Sequence, residues 1–157
     1  PAINARVETA ATSRFFRDLW ATGRTLVAAD GWYEGGKDPS DPKKKQPSYI
    51  RRKDGEPLWF AALAQVDRTG MTDREGDGFV IITANSDQGM VDIHDRRPVV
   101  LEADLAREWI EPDLPLERAE EIVRHLALPV EVFEWFPVNR AVGNVRNEGR
   151  SLIEPTS

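Results

Sequence analysis

Apolar residues recur along this chain with two different periods, and the changes of period mark its elements. Phe79-Val80-Ile81-Ile82-Thr83-Ala84 is a continuous apolar run between polar stretches. It is short enough to read as a covered strand rather than a helix. Leu26-Val27-Ala28 within 25–29 and Val99-Val100-Leu101 read the same way. Residues 130–136 place apolar side chains on both alternating faces, which again predicts a covered strand. Residues 2–8 predict a short extended segment.

Elsewhere the period lengthens to that of a helix. Phe15, Phe16, Leu19 and Trp20 form a stripe over 12–21, where Thr12 or Ser13 can cap and Gly23 stops the helix. Leu105, Trp109 and Ile110 share a side over 103–110. Leu116, Ala119, Ile122, Val123 and Leu126 do so over 115–126, opened by Pro115.

Turn formers divide these elements. Asp30-Gly31 precedes Trp32-Tyr33-Glu34, a short strand. Residues 35–47, with two glycines, three prolines and Lys43-Lys44-Lys45, predict a loop long enough to be functional, mobile or both. Residues 48–53 and 58–66 predict a hairpin around Asp54-Gly55. Residues 67–78 read as a second polar loop, 86–91 as a helical turn, and 138–145 as too polar for a plain core strand. Strands outnumber helices and follow one another in sequence. The expected architecture is α+β: one β-rich domain over 1–157, with a largely antiparallel curved sheet and flanking helices.

Composition narrows the function classes. The 157 residues are 40% hydrophobic and 31% charged, with no run approaching a membrane span and no signal peptide, so a soluble cytoplasmic domain is expected. There is no cysteine, which excludes disulfides and thiolate metal sites within these residues, and two histidines make a histidine-rich zinc site a poor expectation. No metal or other cofactor is expected. The net charge of −6 is segregated: residues 102–136 hold 10 acidic and 3 basic side chains, the remainder 17 and 18. Such segregation permits one basic face on an acidic protein, although a solvated acidic helix accounts for the acidic segment equally well. Pro1 opens the chain without a methionine, and the residues after it read as interior sequence. We expect a domain lacking its N-terminal segment.

Candidate chemistry concentrates in Val91-Asp92-Ile93-His94-Asp95-Arg96-Arg97-Pro98, a charged stretch between two apolar runs. Charge is buried only at a cost of several kcal/mol unless paired, so such a stretch is either a polar lock on the core or a site. Asn4 and Arg6 sit two apart in an extended segment, on one face of a strand. Glu34 ends the Trp32-Tyr33-Glu34 strand. A carboxylate and an imidazole brought together divide proton transfers, and Arg6 offers a planar fork suited to phosphate. Each feature has a plain alternative: a surface salt bridge for Asn4 and Arg6, a solvated strand end for Glu34, a satisfied turn histidine for His94. No serine lies in a nucleophile-elbow context. A mechanism built on Glu34 and His94 therefore needs water or a nucleophile from elsewhere.

Five blocks settle the resemblance: Ile3-Asn4-Ala5-Arg6-Val7-Glu8-Thr9, Ala29-Asp30-Gly31-Trp32-Tyr33-Glu34, Ile81-Ile82-Thr83-Ala84, Asp92-Ile93-His94-Asp95-Arg96-Arg97-Pro98 and Arg140-Ala141-Val142-Gly143-Asn144-Val145. In this order they resemble the SOS-response-associated peptidase (SRAP) family, close to its bacterial abasic-site processing proteins, over nearly the whole chain. The resemblance implies a covalent sensor of abasic sites in single-stranded DNA. In that family an N-terminal cysteine, absent from these residues, closes a thiazolidine on the sugar aldehyde, and a peptidase activity that trims the family's own N-terminus is proposed.

Carried onto this chain, the resemblance makes His94 the acid that protonates the sugar ring oxygen. Glu34 is the carboxylate that deprotonates the amine, and Asn4 positions the cysteine and the sugar. Arg6 becomes a phosphate contact, and Thr83 a polar neighbour in the pocket. Trp32, Lys43, Lys44, Lys45, Arg96 and Arg97 are candidates for stacking or phosphate contact with a single strand. The implied partner is single-stranded DNA with abasic sites, bound by a monomer near the nucleoid. Gly35-Gly36 departs from the family, which usually carries an aromatic after the glutamate. Two alternatives stay open: a reader of single-stranded or modified DNA without the chemistry, and an interaction domain whose contact face is the acidic 102–136 segment.

Overall fold

The computed structural model describes residues 4–66, 76–86 and 89–156. In chain order its regular elements are β1 (Asn4–Arg6), α1 (Arg17–Thr22), β2 (Arg24–Ala29), β3 (Trp32–Asp38), β4 (Asp41–Arg52), β5 (Leu58–Gln65), β6 (Gly78–Asn85), β7 (Arg96–Pro98), β8 (Val100–Leu101), α2 (Ala103–Trp109), α3 (Leu116–His125) and β9 (Phe133–Pro137). Single 3-10 turns follow at Met90–Asp92, Val130–Val132, Arg140–Gly143 and Arg150–Ile153. The expected α+β class, rich in strands, is what forms. Among the described residues no helix is long and apolar enough to cross a membrane. The chain folds as two compact units: Pro1–Ala28, Leu58–Ala84 and Arg97–Leu128 in one, and Ala29–Pro57, Asn85–Arg96 and Pro129–Ser157 in the other.

The first unit is organised by a sheet of order β1-β6-β5-β2, with β7 against β6 and β8 against β5. β5 runs antiparallel to β6 and β8, whereas β1 runs parallel to β6. The apolar runs account for this: Ala61, Ala62 and Leu63 of β5 and Ile82 of β6 are fully buried, as strands covered on both faces require. The helical stripes supply part of the cover. Ala106 and Trp109 of α2 and Ala119, Ile122 and Val123 of α3 are buried in the same cluster as Ala5, Trp20 and Ile82. Trp109 is its pivot. Its indole N–H donates to the Thr25 carbonyl at 2.9 Å, and Trp20 meets it edge-on at 5.4 Å. The Arg24 guanidinium lies 5.6 Å from the Trp109 ring centroid. Arg24 also donates to the carbonyls of Trp109, Trp20 and Glu111, which satisfies acceptors that helix ends leave open.

The second unit is built on an antiparallel sheet of order β3-β4-β9. Tyr33 pairs with Tyr49 and Tyr49 with Phe136; one position away Trp32 pairs with Ile50 and Ile50 with Trp135. Alternation therefore separates two faces. One carries Trp32, Glu34, Ile50, Trp135 and Phe133; the other carries Tyr33, Tyr49, Arg51 and Phe136.

Four sequence expectations are corrected here. Residues 35–47 are not a loop. Most of them belong to β3 and β4, which pair from Trp32↔Ile50 to Lys37↔Lys45 and turn at Asp38–Asp41. The β9 pairing reaches β4 only from Ser48 onward, so Pro42 lies beyond it. Pro47 forgoes a donor, but its carbonyl still accepts from the Val138 N–H at 3.0 Å. Nor do 48–53 and 58–66 form a hairpin. Gly55 does turn the chain with φ 74°, but β4 and β5 then enter different sheets. The helix expected from 12 or 13 is regular only from Arg17, because the Ser13 hydroxyl and carbonyl hold the preceding residues in turns. The strand expected over 130–136 begins with a 3-10 turn and is extended only from Phe133. Most of the second polar loop, at 67–75, lies outside the described residues.

Candidate active site and nucleic-acid surface

Asn4, Arg6 and Thr83 belong to the first unit. β1 carries Asn4 and Arg6 two residues apart, so both point to one side, and both are exposed while Ala5 between them is fully buried. The parallel register sets Arg6 beside Thr83 and Asn4 beside Ile81. Val7 N–H donates to the Thr83 carbonyl at 2.9 Å, which extends the pairing past β1. Thr83 is buried at 8% exposure. The Arg6 Nε stands 3.8 Å from Glu8, with the Arg6 side chain 67% exposed, so this pair leaves the guanidinium available to an anion.

Glu34, Trp32, His94 and Arg96 belong to the second unit. Glu34 is half-buried on β3, two positions from Trp32 on the same face. Trp32 packs edge-on against Phe133 at 5.4 Å, which fixes the wall beside the carboxylate. Burial raises the Glu34 carboxyl above its ordinary range. The His94 charge and the Trp32 side chain draw it partly back, and the Asp95 carboxylate pushes it up again. His94 and Asp95 are thus the electrostatic neighbours of Glu34.

The turn that carries His94 is held from both ends. Ile93 and His94 N–H groups donate to the Met90 carbonyl at 3.0 and 3.1 Å, and Ser86 N–H donates to the Asp95 carbonyl at 2.9 Å. His94 Nδ1 lies 3.0 Å from the Arg96 carbonyl oxygen, 3.1 Å from the Arg96 amide nitrogen and 3.4 Å from Asp95 Oδ1. These contacts tie the role of the ring to its protonation. A bare Nδ1 accepts from the Arg96 amide and leaves Nε2–H free to donate; a protonated Nδ1 donates to the Arg96 carbonyl and leaves a neutral ring with Nε2 as acceptor. The side chain is 44% exposed. Arg96 donates to Asn85 Oδ1 at 2.7 Å, which orients its guanidinium beside the turn.

Two contributors escaped the sequence reading. Asp95 adjoins His94 in sequence and its charge acts on Glu34, a role that alternation alone does not reveal. Gly36 lies against Ile93, where an added β-carbon would stand 3.3 Å from the Ile93 carbonyl oxygen. The signal for Gly36 was its departure from the family pattern. Among the described residues no group of three or more His, Cys, Asp or Glu side chains is arranged to hold a metal ion.

A half-buried carboxylate with raised proton affinity, electrostatically coupled to an imidazole on a tethered turn, is equipment for proton transfer, here on an α+β scaffold. The model of the family described as SOS response associated peptidase matches residues 1–145. The chain belongs to the SRAP family. It is 50% identical over 155 residues to the abasic site processing protein YedK of Escherichia coli, covering 99% of this chain and 68% of that protein. It is 32% identical to the abasic site processing protein YoqW of Bacillus subtilis, covering 97% of this chain and 66% of the relative. Among solved structures it resembles a phage-related protein of Bordetella bronchiseptica, with 46% identity, TM-score 0.75, and coverage of 88% of this chain and 64% of that one. A Bacteroides thetaiotaomicron protein shares the fold at 21% identity and TM-score 0.79, covering 98% of this chain and 66% of that one. The chain thus spans about two thirds of the length of these relatives.

Proposed function

We propose that this chain carries the acid–base machinery of an abasic-site sensor that captures the ring-opened sugar of single-stranded DNA as a thiazolidine. The coupling of Glu34 to the His94 turn supports this reading most directly. The 157 residues hold no cysteine, so this reading requires a cysteine nucleophile that they do not themselves supply.

The chemistry distributes as follows. The sugar exists mostly as a closed hemiacetal, and opening it needs a proton on the ring oxygen; His94, donating from Nε2, supplies it. An α-amine then adds to the aldehyde carbon. Glu34 takes the ammonium proton, a task for which a carboxylate raised toward neutrality is better matched than an ordinary one. Loss of water gives the imine. A thiol on the same residue adds to the imine carbon and closes a five-membered ring, favoured by high effective concentration. Arg6 contacts a phosphate of the DNA; Arg96 contributes charge, and Trp32 a stacking surface. Asn4 positions the amine and the sugar, and Thr83 is a polar neighbour. The protein acts as a monomer in the cytoplasm, close to the nucleoid, and trims its own N-terminus to free the amine.

The test is to incubate the full-length protein with a single-stranded oligonucleotide carrying one abasic site, then run a denaturing gel. A heat-stable adduct is expected. Binding without an adduct, with an N-terminal cysteine present, overturns the covalent reading in favour of a non-catalytic reader.

A further inference from the structure

We infer that the face of the three-stranded sheet opposite Glu34 is a second nucleic-acid surface, on which Lys37 and Lys45, with Lys43 in the adjoining irregular stretch of β4, hold phosphates of single-stranded DNA away from the lesion and Tyr33 stacks a base. The inference takes DNA as the partner from the reading above, but its residues take no part in the proton-transfer chemistry.

The observation behind it is a charge conflict. The register of β3 and β4 sets Lys37 directly opposite Lys45, and like charges so placed oppose strand pairing. The neighbouring carboxylates do not relieve it. Asp38 accepts from the amide and the hydroxyl of Ser40, at 2.8 and 2.7 Å, and pairs with Arg140. Asp41 accepts from the Lys43 amide at 3.1 Å and lies 4.0 Å from Lys44. Both acids are occupied in holding the turn. Among the described residues no carboxylate forms an ion pair with Lys37, Lys43 or Lys45, and all three are exposed. A segment that keeps this arrangement on a protein of net charge −6 is matched to an anion that spans several cations.

The same face carries rings. Alternation along β3 puts Tyr33 on the side of Lys37 and Glu34 on the other. Tyr33 is 41% exposed and backed by Tyr49 at 5.3 Å, which in turn meets Phe136 at 5.9 Å. Arg51, paired with Glu134, lies over Phe136 at 5.0 Å. Tyr33 and Lys37 stand about 13 Å apart along the strand. A supported, half-exposed ring in line with unneutralised lysines is the combination that binds single strands without regard to sequence. An acidic peptide would use the lysines and leave the ring idle. β3 is an edge strand, so a DNA strand can pass around it from one face to the other.

The experiment follows binding of a short fluorescent oligothymidylate without any lesion to the full-length protein, by anisotropy, across a series of salt concentrations. In the triple variant Lys37→Ala, Lys43→Ala, Lys45→Ala, the slope of log K against log salt is expected to flatten by about 2, because each lost single-strand phosphate contact removes about 0.7. Low-salt affinity is expected to fall about tenfold. Tyr33→Leu is expected to weaken binding about tenfold with the slope unchanged. An unchanged slope in the triple variant overturns the inference, as does displacement of the probe by polyglutamate as readily as by unlabelled oligothymidylate. Because the probe has no abasic site, failure of adduct formation leaves this measurement standing, and the two proposals fall separately.

Discussion

Gly36 passes close against Ile93: a β-carbon on Gly36 would sit 3.3 Å from the Ile93 carbonyl oxygen and 3.5 Å from its Cα, so anything larger must displace the turn. The strand that bears Glu34 thus runs against the turn that bears His94. Gly35, one residue nearer Glu34, has only the Lys45 side chain within reach, at 3.5 Å.

Gly36→Val is therefore expected to push the His94 turn away while leaving the sheet intact. A displacement of this kind costs about 10- to 100-fold in rate, while Tm moves by no more than about 2–4 °C. Gly35→Trp, which restores the aromatic usual in the family, should leave both quantities near wild type. Adduct kinetics and thermal melts on the two variants check the contrast, and equal rates would dissociate the turn from the chemistry.

The assigned roles of Glu34 and His94 predict loss of rate rather than loss of fold. Glu34→Ala and His94→Ala should each slow adduct formation by about 10²-fold or more, the usual contribution of a positioned acid or base. Single-turnover assays with abasic single-stranded DNA measure this. Unchanged rates in both variants would refute the assignment.

The carboxylates of this protein pull stability in opposite directions with pH. Glu34 has a raised pKa in the fold, so the native state holds its proton more tightly than the unfolded chain. Its contribution is present at acid pH and fades as pH rises through the folded value. Glu34→Gln should accordingly raise Tm at pH 7, by a few degrees at most, since one kcal/mol moves a chain of this length by about 2–4 °C; the gain should vanish at acid pH. Asp54 behaves oppositely. The Arg52 guanidinium donates to both its oxygens, at 3.0 and 2.6 Å, and holds its pKa below the usual range. That contribution is present above the ordinary carboxylate pKa and is lost as pH falls through the folded value. Arg52→Ala should thus destabilise more at pH 7 than in acid. Melting curves from acid to neutral pH on both variants read the two signs.

Gly31 stands where the chain crosses β4: a β-carbon there would come within 2.5 Å of the Ile50 carbonyl oxygen and 2.4 Å of the Tyr49 ring. Gly31→Ala should destabilise by about 1–3 kcal/mol, the usual cost of overpacking. In the first unit, Trp109→Ala removes a fully buried ring together with its hydrogen bond to Thr25, and should cost about 3–5 kcal/mol. Denaturant melts distinguish these losses from a near-neutral change.

Much of this architecture was legible where one rule dominates. The apolar run at 79–84 became β6, and the stripes around Trp109 and Ile122 became α2 and α3, because burial enforces period on both kinds of element. The β3–β4 hairpin was not legible. Its residues are glycine, proline and lysine, which read as loop, while its order comes from cross-strand hydrogen bonds that leave no trace in composition. The separation of β4 from β5 was also hidden, since a turn at Asp54-Gly55 is compatible with either pairing. For the site, the family blocks nominated Glu34 and His94, and the structure sets both in the second unit; the approach of Gly36 to Ile93 involves backbone, which no side-chain pattern encodes.

The sheet pairings also set a timetable. β1 finds its partner only in β6, more than seventy residues later, and β4 completes its pairing only with β9, some eighty residues on. A chain emerging from the ribosome at about 5–20 residues per second therefore exposes half-made sheets for several seconds. During that interval β4 has an open edge that invites another copy. Phe133–Pro137 closes it only over Ser48–Arg52, and the lysines at 43–45 continue the strand beyond that cover, where their charge opposes pairing with another copy both before and after β9 arrives.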